Sequence, residues 1–394
     1  MSNLDIYTEK CKFVRIYAVI MMLLYRAIKK LRLHKWLYHI TLPLHSCVVS
    51  ITKQTIESAE QELQTIHPDT GDTCLCKNTL VKPFEYDLQI IIPAYNAAQY
   101  ITECMDSILS QQTQYHFVII VVNDGSTDET PQLLQHYTTH PNVILINQEN
   151  RGFSGARNRA LEHLIAKYVL FVDADDCLPP KAVDTLIQCA EKSQAEIVEG
   201  SFLQFDNNRI ISSHLHQTQI TNDWSILYGY PWGKVFRSEL FANIHFPKGY
   251  WFEDTICTFM LYPQCKRIAT VDNIVYKYRA NNKGITSTSK GKIRVLDTLW
   301  ISRQILHDAD QYGITWNQPL YESFLNDLCI NYSRIDSLHS PVIHKNVFIT
   351  TCALREKYFT HFRTERPVFK PFETALINSD FGAYMLYGKY FLCT

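Results

Sequence analysis

Between residues 86 and 200 the chain alternates short apolar runs with stretches in which apolar residues return every three or four positions. Such runs, bounded by turn residues, read as buried strands, and the longer period reads as helices packed on them. Leu88 to Ile92, stopped by Pro93, gives a first strand, and Ile101, Met105, Ile108 and Leu109 mark the helix after it. Phe117 to Val122 gives a second strand, followed by Ser126 and Glu129 at capping-box spacing with Pro131 in the first helical turn. Val143 to Ile146 is a third, Arg151 to Gly155 a flexible loop, and Ala156 to Lys167 a helix with Leu161, Leu164 and Ile165 turned inward. Val169 to Val172 is a fourth strand, and Pro179-Pro180 opens a helix that leads to a strand over Glu196 to Gly200. This alternation implies an α/β domain with a mostly parallel, doubly wound sheet whose polar strand ends share one edge.

The flanks follow a different pattern. Ile16 to Tyr25 is apolar throughout but too short to cross a bilayer, which takes about 20 residues. Arg26, Lys29 and Lys30 follow it where a secretory signal would carry small residues. Phe13, Ile16, Tyr17, Ile20, Leu24, Ala27, Ile28 and Leu31 form one helical stripe beside Arg15, Arg26 and Arg32, with Trp36 and Tyr38 beyond. The stripe suits either a helix lying in an anionic membrane surface or one packed on the catalytic domain. Thr52 to Lys82 reads as a helix and a linker. Beyond residue 291, Ile293, Leu296, Leu299, Trp300, Leu325, Leu328, Cys329 and Ile330 recur at helical spacing. The aromatic and basic residues from Tyr358 to Phe391 suit a membrane interface or a helical hairpin capping the core. The chain thus divides into an N-terminal segment (1–85), a catalytic domain (86–290) and a C-terminal helical region (291–394).

Charge and cysteines narrow the class. The formal net charge over 394 residues is −1, which gives no global field for nucleic acid. The 12 cysteines are dispersed, and Cys74-x-Cys76 lacks a second pair for zinc, so a reducing cytosol is expected. No Gly-x-Gly-x-x-Gly follows the first strand and no Gly-Lys-Ser/Thr loop occurs, so a bound phosphate needs another partner.

The fourth strand ends in Asp173-Ala174-Asp175-Asp176. Alternate carboxylates at a strand exit can converge on a hard divalent cation that shares its shell with phosphate oxygens. Taken alone, the same run reads as an acidic turn. Asp124, at the end of the second strand, reads by itself as a turn or capping residue. Together, however, Ile91-Ile92-Pro93-Ala94-Tyr95-Asn96, Val122 to Asp128, Asn150-Arg151-Gly152 with Ala156-Arg157-Asn158, and Asp173 to Asp176 resemble the ordered motifs of the family 2 inverting glycosyltransferases of GT-A fold. The resemblance covers roughly residues 88 to 290. It implies that Pro93, Ala94, Tyr95 and Asn96 line the nucleotide pocket, that Asp124 hydrogen-bonds the base, usually uracil, and that Ala174 lies beside the donor. Asp173 would face the ribose or a metal-bound water, and Asp175 the Mn²⁺ or Mg²⁺ on the diphosphate. Arg157 would face the nucleotide or neutralise the acidic crevice. Ala160 stands where such sequences usually carry Gly.

Downstream, Trp251-Phe252-Glu253-Asp254 resembles the family's base motif. The resemblance makes Asp254 the general base and Glu253 its orienting or acceptor-binding partner; without it, two exposed acids at a helix start would be the reading. Trp232 and Trp251 suit stacking on an acceptor sugar or core packing, and Lys234 suits acceptor binding or support of the Glu-Asp pair. Tyr276 to Arg279 and Asn281 to Ser287 resemble the strand and mobile loop closing such domains, with Arg279 and Lys283 either on the diphosphate or solvated. The implied activity is sugar transfer from a nucleotide-sugar donor, UDP-linked by the family's habit, to a carbohydrate or lipid-linked hydroxyl. The alternatives are a sugar-phosphate nucleotidyltransferase, which would carry a Gly-rich basic first loop, and an inactive membrane-associated assembly partner.

Overall fold

The structure is a computed structural model that describes residues 33–206, 209–281 and 284–392. Nine described strands form one sheet: β1 (Tyr86–Ala94), β2 (Phe117–Asp124), β3 (Val143–Gln148), β4 (Ala166–Phe171), β5 (Ile197–Asp206), β6 (Arg209–His214), β7 (Gln219–Thr221), β8 (Lys234–Arg237) and β9 (Ile268–Arg279). Their order is β3-β2-β1-β4-β8-β5-β9-β7, with β6 paired to β5. The first four strands run parallel, and β1, β2 and β4 are apolar because helices cover both faces. Beyond β4 the sheet is mixed, since β8 is antiparallel to both β4 and β5 and β7 is antiparallel to β9. The expected parallel pairing is thus interrupted at β8 and resumes beyond it, where β9 runs parallel to β5. In β8, Lys234 breaks the apolar pattern and stands directly across from Glu199 of β5.

Several expected boundaries shift. Pro93 does not stop β1, which runs on to Ala94 beside β2; the ladder to β4 has already ended at Ile91. The expected loop at Arg151 to Gly155 is instead the first turn of a helix over Gly152–Leu161, so Leu164 packs from a short strand and not from the helix. Nor does the Ser126/Glu129 capping box form. Helix α4 (Thr130–Gln135) is entered through Asp128, whose carboxylate accepts from the Thr130 and Ala98 N–H groups at 3.0 and 3.1 Å.

In chain order the other principal helices are α1 (Leu33–His45), α2 (Lys53–Ile66), α3 (Ile101–Leu109), α5 (Gly152–Leu161), α6 (Ala182–Ser193), α7 (Asp297–Tyr312), α8 (Gln318–Asp336), α9 (Pro341–Phe359), α10 (Lys370–Ile377) and α11 (Phe381–Tyr387). The described amino-terminal part packs on the carboxyl-terminal helices. Tyr38 of α1 is buried edge-on against Tyr387 and Phe391, and Arg303 of α7 pairs with Glu60 of α2 and with Asp69. The membrane-surface stripe from Phe13 to Leu31 lies outside the described residues. Of the aromatic terminal stretch, Tyr358, Phe359, Phe369, Phe372, Tyr384 and Tyr387 are buried, which is the capping arrangement and leaves these rings no lipid contact. No described helix is long and apolar enough to cross a membrane. The described cysteines are free thiols.

Candidate active site

The carboxyl ends of β1, β2 and β4 meet at one edge. Asn96, at φ 49°, accepts the Thr127 N–H at 2.8 Å and donates its own N–H to Ser126 Oγ at 3.0 Å, which laces the first two loops together. Gly125 has φ 71°, and a Cβ there would meet the Asn150 nitrogen at 2.8 Å, so only glycine fits this turn. Pro93 and Ala94 end β1 under these loops, while Tyr95 is 52% exposed beside them. Asp124 is buried, and its Oδ1 accepts from Gln148 Nε2 at 2.7 Å and the Arg151 N–H at 2.8 Å.

The β4 exit is pinned by residues the motif itself does not contain. Asp176 is fully buried and accepts from the Tyr276 hydroxyl and the Arg279 N–H, both at 2.7 Å. The Tyr276 oxygen in turn accepts the Asp173 N–H at 3.1 Å. Arg279 donates Nε to the Asp175 carbonyl at 2.7 Å and pairs with Glu103 at 2.6 Å, between the rings of Tyr100 and Phe205. It is therefore not a solvated loop charge: it is engaged with protein groups that hold the turn. Lys283 lies outside the described residues. Asp175 accepts from Asn281 Nδ2 at 2.8 Å, and burial, with the neighbouring Asp173 second, raises its pKa. Ala174 is buried between the two acids.

Arg157, on the first turns of α5, joins this cluster to the second acidic motif. One guanidinium nitrogen bonds Asp173 Oδ1 at 2.8 Å and the other bonds Glu253 Oε1, with Phe153 and Phe246 flanking the group. Glu253 is buried, not an exposed helix-start acid. Phe252 before it has φ 65°, a conformation that costs a non-glycine residue energy and turns the next two carboxylates to different environments. Glu253 faces Arg157, whereas Asp254 opens into a cavity of about 1060 Å³ between the sheet domain and α8. Burial raises the pKa of both acids; Arg157 opposes this most at Glu253 and Arg334 of α8 at Asp254.

The three acceptor candidates sit elsewhere. Trp232 is 6% exposed and stacks with Tyr230, Tyr276 and Tyr278 at 4.6 to 5.2 Å, so it is core and has no face free for a sugar. Trp251 does not line the cavity; Arg294 and Lys292 cover its ring at 5.1 and 5.9 Å. Lys234 is fully buried in an ion pair with Glu199, donates to the Tyr228 carbonyl at 2.5 Å and the Tyr262 hydroxyl at 2.7 Å, and neither lines the cavity nor bonds the Glu-Asp pair. The cavity is instead faced by Tyr230 and Phe252 on one side and by Asn326, Asp327, Asn331 and Arg334 on the other. The sequence signal of the four residues on α8 is the polar face of an amphipathic helix, which any surface helix shows.

Residues 89–258 match the model of the family described as Glycosyl transferase family 2. The chain is 30% identical over 213 residues to the glycosyltransferase GlyA of Streptococcus pneumoniae, a match covering 49% of this chain and 30% of GlyA. It is 42% identical over 98 residues to the chondroitin synthase of Escherichia coli, covering 25% of this chain and 14% of that one. These matches span less than a third of either relative's length. Among solved structures, S. aureus TarS 1-349 in complex with UDP-GlcNAc superposes with a TM-score of 0.60 at 19% identity, over 77% of this chain and 90% of that chain, which shows a shared GT-A fold.

Proposed function

We propose that this chain, whose residues 89–258 belong to glycosyl transferase family 2, moves a sugar from a nucleotide-activated donor, uridine-linked, to a hydroxyl of a glycan, polysaccharide or lipid-linked acceptor, with inversion at the sugar carbon. The observation that carries this reading is Arg157, which ties Asp173 at the strand edge to Glu253, the chain neighbour of Asp254, and so joins the two acidic motifs through one buried guanidinium. The relation to a polysaccharide synthase and the fold shared with a protein solved with UDP-GlcNAc support the donor and acceptor classes.

In this mechanism the donor lies across the ends of β1, β2 and β4, its base against Asp124 and the loop from Pro93 to Asn96, and its diphosphate near Asp173 and Asp175. No group of three or more His, Cys, Asp or Glu side chains that could hold a metal converges among the described residues. Asp173 and Asp175, two hard carboxylates in mutual repulsion, still fit a divalent cation and would hold it together with the diphosphate. When bound, Mn²⁺ or Mg²⁺ would neutralise charge on the departing diphosphate. Asp254 takes the acceptor hydroxyl's proton while that oxygen bonds the anomeric carbon, the bond to the phosphate oxygen breaks, and the nucleoside diphosphate leaves. Glu253, fixed by Arg157, orients this face.

Two variants test the reading. Asp254→Asn is expected to keep metal-dependent UDP binding in a calorimetric titration and to lose transfer by roughly 1000-fold or more, the scale of a general base with its positioning. Asp175→Ala is expected to lose metal-dependent UDP binding. Near-normal turnover in the first variant, or unchanged affinity in the second, would remove that residue from its role.

A further inference from the structure

Helix α8 is two-faced. Tyr321, Phe324, Leu325, Leu328, Tyr332 and Ile335 are buried on one side, while Glu322, Asn326, Asp327, Asn331 and Arg334 line the cavity on the other. The cavity-lining stretch from Pro319 to Arg334 extends about 22 Å at 1.5 Å per residue. Across from it, Tyr230 is 43% exposed although one face rests on Trp232, and Phe252 lies under the Arg334 guanidinium at 3.5 Å. The open face of Tyr230, opposed to carboxylates and amides, suits a pyranose ring, whose apolar face stacks while its hydroxyls hydrogen-bond. The volume of about 1060 Å³ exceeds the roughly 300–1,000 Å³ usual for a small-molecule site.

The stripe is also polarised. Arg334 and Asp327 interact electrostatically with Asp254, and some three turns away Glu322 pairs with Arg366 at 3.9 Å where both line the same space. We propose that this groove receives an extended, polyhydroxylated acceptor laid along α8, with its reacting hydroxyl at Asp254, its end unit read by Asp327 and Arg334, and its remaining units running past Asn326 toward Glu322. The proposal rests on the reading of Asp254 as the base. It makes the carboxyl-terminal helices half of the substrate site and assigns this chain an oligomeric acceptor in place of a single sugar.

Isothermal titration of the full chain with UDP, Mn²⁺ and defined oligosaccharides tests this. The probes are glucose, N-acetylglucosamine and chondroitin series of one to six units. In at least one series the hexamer is expected to bind roughly tenfold or more tightly than its monomer, about 1.4 kcal/mol. Asn326 is exposed midway along the stripe, so Asn326→Trp is expected to remove that length advantage with UDP affinity as in the wild type. Retained UDP binding also shows that the variant folds. A panel in which no hexamer outbinds its monomer overturns the proposal, as does a variant that keeps the gain. A wild-type chain that fails to bind UDP with Mn²⁺ sinks the donor-site reading as well.

Discussion

At the strand edge, Asp124, Asp173 and Asp175 each sit within a few residues of the apolar run that positions them, whereas the wall around Asp254 gathers Tyr230, Phe252, Asp327 and Arg334 from separate stretches of the chain. In the first region a buried parallel strand dictates where its last polar side chains emerge. In the second, position depends on how α8 packs against the domain, which no local pattern encodes. The two regions touch at Arg157, which makes that residue the most severe test of their union. Arg157→Met leaves Asp173 and Glu253 without their shared cation. The expected cost is about 3–5 kcal/mol of stability, the scale for stranding buried charges, together with a loss of transfer of roughly 1000-fold. Denaturant titration and initial rates measure the two. A variant as stable and active as the parent would separate the regions again.

The difference also explains what could be read before the fold was known. The strands β1, β2 and β4, the turn at Gly125 and the acids at their ends follow from apolar runs and turn chemistry with partners close in sequence. Asp176 was visible only as the third acid of a run, because its partners Tyr276 and Arg279 come from β9. Trp232 and Lys234 depart from the acceptor-binding expectation for one shared reason: a residue's chemistry does not say whether its neighbours have already satisfied it. The face of Trp232 is taken by tyrosines, and the charge of Lys234 by Glu199 across the strand pair.

Lys234 therefore sharpens the contrast, since it supports the wall without belonging to the chemistry. Lys234→Met is expected to cost about 3 kcal/mol, the low end for breaking a buried pair, because Glu199 keeps hydrogen bonds from His216 at 2.6 Å and the Tyr228 N–H at 3.1 Å. Metal-dependent UDP affinity should not change. Adding Glu199→Gln, which removes the stranded charge, is expected to recover more than half of the loss in chemical denaturation. A double variant no more stable than the single one would mean that the pair holds the Tyr228 to Tyr230 segment by packing alone.

The smallest effect belongs to Asp327, and it reads the electrostatics of the wall alone. Burial, and after it the charge of Asp254, raises the Asp327 carboxyl to about 7, with Arg334 acting in the opposite direction. A carboxyl raised in the folded chain binds a proton there that the unfolded chain has already lost. Its contribution is therefore fully present below about pH 4 and disappears as pH rises through about 7. Because the side chain still reaches the cavity, the full linkage value is discounted to about 1–2 kcal/mol over that window. Asp327→Asn carries no titrating proton, so the difference in stability between wild type and variant, followed by thermal melts from pH 4 to pH 8, should shift by that amount in favour of the variant as pH rises. A pH-independent difference for Asp327→Asn would show that the acid is neither desolvated nor in reach of Asp254, and the wall would lose the electrostatic link by which α8 addresses the base.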